Sequence, residues 1–165
     1  MILREATATA AAVIKAIGPL CVRCEAVGAV RRQHDTEIKV VEIVAIPNVS
    51  HLMALRDVIN SRWGPPSAGP FPSKFTKIRR VVPLDFHWVN AAQWGLAVFM
   101  LTGPTTFVQP ALQRWKREHE DMGCERDFRL YQSPELEPMK IVEEMDVFQC
   151  FEAEFVKPEE RRWWR

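Results

Sequence analysis

The chain has 165 residues, of which 47% are hydrophobic, with a formal net charge of +1 and four cysteines. That length and apolar content predict one globular domain, or one compact domain with a small appendix. The near-neutral balance argues neither for a strongly basic coat nor for an acidic tail, while leaving room for local basic clusters on a nucleic-acid-binding face.

The opening stretch MILREATATAAAVIKAIGPL is rich in alanine but carries Arg4, Glu5 and Lys15. Its uncharged runs are shorter than the roughly 20 residues a membrane span needs, and no small-residue cleavage site follows a basic start. It reads as a cytosolic N-terminus that opens with a helix over 6–17, closed near Gly18-Pro19. Cys21-x-x-Cys24 follows at a helix-to-strand junction. The motif admits a zinc half-site or a redox pair. The histidines at 34, 51, 87 and 119 are scattered, so no second ligand pair completes a zinc site. A redox motif opens a helix, whereas this one opens a strand. The expectation is reduced, buried thiols.

A strand over 21–27 leads into Gly28, and a second strand spans 38–47, stopped by Pro47-Asn48. Within it, Glu42 stands alone among Val, Ile and Ala, with no polar face to which it belongs. A lone buried carboxylate is costly unless a cation, a metal or a hydrogen-bond network meets it, which marks Glu42 as a functional candidate. An amphipathic helix is predicted over 51–63 and a Gly- and Pro-rich loop over 64–72. Two strands follow over 73–89, Pro83 favouring an edge or a bulge. Asp85 repeats the puzzle of Glu42, flanked by Leu84 and Phe86. Neighbouring apolar strands that each bear one acid make sense where the acids share a hard divalent cation such as Mg²⁺. Gly28 permits close backbone approach, and Arg31 or Arg32 can neutralise phosphates. Taken singly, each acid reads equally well as a strand-end residue reaching solvent or an arginine.

From Ala91 the pattern becomes helical: AAQWGLAVFMLTG, then TTFVQPALQRWKREHEDM interrupted at Pro110. RDFRLYQ is a strand candidate, and EPMKIVEEMDVFQCF is another helix. The basic, aromatic tail VKPEERRWWR closes the chain. Trp88, Trp94, Phe99 and Phe107 read as core, and Trp163 and Trp164 as packing against the body or a partner. The layout is α+β: a mixed sheet with flanking helices to about residue 90, then a small, mainly helical part over 91–165.

Gly28-Ala29-Val30-Arg31-Arg32, then Glu42-Ile43-Val44, Leu84-Asp85-Phe86, Trp94-Gly95 and Thr102-Gly103 occur in an order that resembles family X DNA polymerases. These belong to the nucleotidyltransferase superfamily typified by DNA polymerase beta. Val147-Phe148 and Pro158-Glu159-Glu160-Arg161 resemble the family's closing signature. The likeness runs from about residue 6 to the end. It implies a nucleotidyltransferase palm over 1–90 and a polymerase beta-like thumb over 91–165, similar to the minimal enzymes encoded by phages.

The resemblance implies transfer of a nucleotide from a dNTP to a DNA 3′ end, of the gap-filling and repair type, by a monomer in the cytoplasm. Glu42 and Asp85 would be the catalytic, metal-holding acids, with Mg²⁺ or Mn²⁺. Gly28, Ala29, Arg31, Arg32, Thr102 and Gly103 would hold the nucleotide, and Lys77, Arg79 and Arg80 would lie along the DNA backbone. The family's acid pair falls at positions 40 and 42, and here the first is Val40; Asp35 and Glu37 have the right spacing but lie before the strand. The Gly-Ser turn is Gly28-Ala29, and the thumb's aromatic pair is Met100-Leu101. These departures predict a weakened enzyme, or else an inactive relative kept as a DNA-binding or protein-interaction module. Transfer to a small molecule, a tRNA or a protein is a third, more distant reading.

Overall fold

The computed structural model describes residues 1–33, 37–66, 74–79 and 82–164; Asp35 and Arg80 lie outside them. The chain divides into two compact units, Met1–Asn90 and Ala91–Arg165. The fold is α+β, with six α-helices, a four-stranded mixed sheet and a two-stranded hairpin among the described residues.

In the first unit, α1 (Leu3–Ile17) buries Ala6, Ala10, Val13 and Ile17, a stripe at helical spacing. Strand β1 (Cys21–Val27) runs into the short helix α2 (Gly28–Arg32), and β2 (Val41–Pro47) follows. The predicted strand over 38–47 therefore starts later, and Val40 precedes it: Ile38 donates its N–H to the Met1 carbonyl and Val41 to that of Pro83. Helix α3 (Leu52–Trp63) leads to β3 (Phe75–Ile78) and β4 (Leu84–Trp88). The sheet order is β1-β2-β4-β3, with β2 and β4 parallel and both edge strands antiparallel to their neighbours.

The register sorts the strands into two faces, because alternate side chains point to opposite sides. Val41, Ile43, Ala45, Ile78, Leu84, Phe86 and Trp88 form one core with the α1 stripe and with Leu55 and Ile59 of α3. On that face Phe86 stacks on Trp88, and the Trp88 indole N–H donates to Thr76 Oγ1 at 2.8 Å. Glu42, Val44, Asp85, His87 and Lys77 therefore belong to the other face.

In the second unit, α4 (Trp94–Thr102) is apolar around almost its whole circumference and is buried accordingly. Helix α5 (Thr105–Glu118) runs through Pro110 without a break, although the proline removes one donor and was expected to interrupt it. The strand candidate at 126–132 proves to be a hairpin of β5 (Cys124–Arg126) and β6 (Arg129–Tyr131). Its turn residues Asp127 and Phe128 both have positive φ, the mirror-image turn that suits hairpin twist. Helix α6 (Glu144–Cys150) fills only the second half of its expected span; Asp146 caps it by accepting the N–H groups of Val142 and Glu143 at 2.8 Å.

Phe99, Phe107, Phe148, Phe151 and Trp115 make the core of this unit, and Trp164 packs edge-on to Phe99, Phe107 and Phe151. Trp163 stays exposed. Inside this aromatic cluster lies the fully buried Arg161. Its Nη1 donates to Glu144 Oε1 at 2.5 Å and its Nε to the Val156 carbonyl at 2.9 Å. Its guanidinium carbon sits 5.3–5.9 Å from the rings of Phe148, Phe155, Phe107 and Phe99, whose π faces meet the remaining charge.

Removing one partner of such a pair leaves a buried charge uncompensated. Arg161→Met should lower the unfolding free energy by about 3–5 kcal/mol, and adding Glu144→Leu should recover part of the loss; denaturant titration followed by tryptophan fluorescence checks both. A pH effect is expected at the hairpin. Burial pushes the Glu125 carboxyl above its ordinary value, only partly opposed by the bond it accepts from the Phe128 N–H at 2.8 Å. An acid raised on folding contributes stability that is present below its unfolded value of about 4.3 and lost as pH rises through the raised one. Glu125→Gln keeps the acceptor and should flatten that decline in a melting-temperature series across pH.

Candidate active site

Parallel pairing of β2 with β4 sets Glu42 directly beside Asp85. Antiparallel pairing extends the row on both sides, from Val27 opposite Glu42 to Lys77 opposite Asp85. Neighbouring strands are about 4.8 Å apart, so the two carboxylates rise from adjacent strands on one face. The lone acids of the sequence thus account for each other: each interrupts an apolar strand at the same level of the sheet.

Like charges this close need compensation, and the chain supplies it. Arg79 Nη2 lies 2.6 Å from Asp85 Oδ1. The contact is an ion pair without aligned hydrogen-bond geometry, since this buried oxygen accepts no hydrogen bond. The other arm of the guanidinium is fixed: Nη1 donates to the carbonyls of Ile78 and Leu84 at 3.0 and 3.1 Å. Arg79, expected along a DNA backbone, thus has much of its hydrogen-bonding capacity committed within the β3–β4 hairpin. On the Glu42 side, His87 Nε2 stands 3.7 Å from Glu42 Oε1, buried and without a hydrogen bond. The imidazole is held by the Phe75 ring, centroids 4.7 Å apart. Lys77 is exposed, with its ammonium 5.0 Å from the centre of the same Phe75 ring. Sequence reasoning passed over His87, although its spacing of two from Asp85 puts it on the same strand face.

Gly28 is the third part of the site. It follows Val27, the register partner of Glu42, and has φ +62°, a conformation that side chains other than glycine rarely adopt. A Cβ at this position would overlap Glu42 Oε2. The bare backbone is thus what lets the carboxylate lie against the turn. Ala29, Arg31 and Arg32 follow in α2, half-buried, with Val30 turned into the core. The structure therefore brings Gly28, Glu42, Asp85, Lys77 and Arg79 into one neighbourhood of the first unit.

Thr102 and Gly103 belong to the second unit. Thr102 is fully buried at the end of α4, and a Cβ on Gly103 would press on Val108 and Phe107.

The donor set bears on the implied cation. Two carboxylates side by side, one with a buried oxygen that accepts no hydrogen bond, fit a single hard ion completed by water and substrate oxygens. They do not make an all-protein cage: among the described residues no three His, Cys, Asp or Glu side chains gather to hold a metal. Nor is any helix of the described residues long and apolar enough to cross a membrane. No protein-family model matches the chain, and no curated protein matches it.

The contact between Gly28 and Glu42 can be tested by a double-mutant cycle. Gly28→Ala should cost about 1–2 kcal/mol for the left-handed backbone alone, plus a further amount for displacing Glu42. Glu42→Ala in the same chain should remove that second part only, so unfolding free energies of the four proteins should be non-additive.

Proposed function

We propose that this chain is a nucleotidyltransferase of the family X polymerase type, adding a nucleotide from a dNTP to a DNA 3′ end. The observation that carries the reading is the register pairing of Glu42 with Asp85 beside a positive-φ glycine turn. Two acids on adjacent parallel strands, with a side-chain-free turn next to them, suit a reaction in which charge develops on phosphate oxygens. Glu42 and Asp85 would hold one Mg²⁺, or Mn²⁺ in its place, and a bound divalent ion neutralises phosphate charge during in-line transfer. The backbone at Gly28 and Ala29 allows close approach of a triphosphate, which Arg31 and Arg32 would neutralise. Lys77, one strand further along the same row, would face the DNA backbone. Arg79 pairs with Asp85 and must share it with a bound cation.

The missing acid at Val40 limits the rate, because a site with two carboxylates has fewer ligands for a second ion. A second reading has its own support: Asp85 already has a cationic partner in Arg79, and His87 stands close to Glu42. In that reading the scaffold binds DNA through its basic residues without chemistry.

Primer extension on a one-nucleotide-gapped duplex tests the proposal. Slow extension is expected with Mg²⁺ and faster extension with Mn²⁺. Asp85→Ala should lose at least about 3 kcal/mol of transition-state stabilisation, a rate loss of about 100-fold, while Val40→Asp should raise the rate. Absence of extension by the wild type with either ion, together with metal-independent DNA binding that weakens steeply with salt, would establish the second reading.

A further inference from the structure

A bulge in β1 brings together two thiols that the acidic row does not use. Cys21 pairs with Pro47, and the next residue of β2, Ile46, is met by Arg23, so Val22 is the extra residue. Residues three apart on a regular strand point to opposite faces. The inserted residue restores the parity, and Cys21 and Cys24 point the same way, to the side of Pro47 and Ala45. Both thiols then lie at the margin of the first unit's core, while Val22 projects outward. Both cysteines are free and half-buried. The two thiols are unlike: hydrogen bonding from Cys24 lowers the Cys21 pKa, while hydrogen bonding to Cys21 and burial push Cys24 up. Cys124 and Cys150 belong to the other unit.

We propose that Cys21 and Cys24 form a dithiol site that is oxidised to an intramolecular disulfide by a low-molecular-weight disulfide such as oxidised glutathione. The Cys21 thiolate attacks one sulfur of the reagent, forming a mixed disulfide and expelling one glutathione thiolate. Cys24 gives up its proton to solvent and attacks the Cys21 sulfur. The Cys21–Cys24 bond forms, and the second glutathione leaves as a thiolate. Two protein thiols are oxidised and one glutathione disulfide is reduced to two thiols, so atoms and electrons balance. The bulge makes the reaction local: it sets both thiols on the same side of β1, at the margin of one core.

The test is exchange of the full chain with oxidised glutathione, acid quenching, alkylation of the remaining thiols and mass spectrometry. The expected product has lost two hydrogens, carries no glutathione, and joins the peptides of Cys21 and Cys24, with Cys124 and Cys150 alkylated. Cys24→Ser should stop at a mixed disulfide on Cys21. Cys21→Ser should take up glutathione at Cys24 at least about ten-fold more slowly than Cys24→Ser does at Cys21, because the thiolate is the nucleophile. Separate glutathione adducts on both cysteines of the wild type, disulfides between chains, or two thiols that remain free would each overturn the proposal. The readout is independent of nucleotide transfer and holds whether or not the acidic row is active.

Discussion

The parallel pairing of β2 with β4 is the constraint on which the first unit depends. A parallel pair cannot be closed by a tight turn, so the chain must leave β2, pass through α3 and the edge strand β3, and insert β4 between them. That path places Glu42 and Asp85 at one level. The core fixes the level, because Val41 pairs with Leu84 and Ile43 with Phe86, all four buried against the helices. A slip of one residue would turn Asp85 into that core and Phe86 out of it. Apolar packing on one face therefore specifies the position of charge on the other.

On that second face each acid has one nitrogen-bearing side chain beside it. Arg79 is anchored to two backbone carbonyls before it meets Asp85, so its geometry belongs to the β3–β4 hairpin and not to a freely moving side chain. His87 is braced by Phe75 and approaches Glu42 without bonding it. Residue 28 contributes by having no side chain. The row thus combines one acid with a firmly held counter-cation and one acid lying over a bare turn, so the two carboxylates have different partners and different room to move. The second unit uses charge in the opposite manner: Arg161, paired with Glu144, is enclosed by phenylalanine rings and holds the tail to the core.

Much of this was legible from residue patterns. The stripe of α1, the end of β1 at Gly28, and the buried roles of Trp88, Trp94, Phe99 and Phe107 follow from periodicity and from Gly placement; the Gly- and Pro-rich stretch over 67–72 lies outside the described residues. The lone acids announced themselves because they broke apolar runs. Other features left weaker signals. The hairpin at Asp127-Phe128 lacks the glycine that usually marks a mirror-image turn; the bonds from Phe128 N–H to Glu125 and from Gln93 to the Asp127 carbonyl hold it. Pro110 stays helical because α5 is held through the burial of Phe107, Val108, Ala111 and Trp115, which outweighs one lost donor. Val40 falls before its strand because the pairing of β2 begins one residue later, a matter of register that composition does not carry. The common side of Cys21 and Cys24 needed a bulge, and a bulge is invisible until both strands are aligned.

That bulge also bears on how the molecule behaves at high concentration. Strands β1 and β3 are the two edges of the sheet, and an unprotected edge is a template for another chain. On β1 the extra residue disrupts the ladder, and Arg23 and Glu25 occupy the strand with a charge pair at 3.3 Å. On β3 the strand is only four residues long and carries an exposed lysine at 77. Among the described residues both edges of the sheet are thus poor docking lines for a foreign strand.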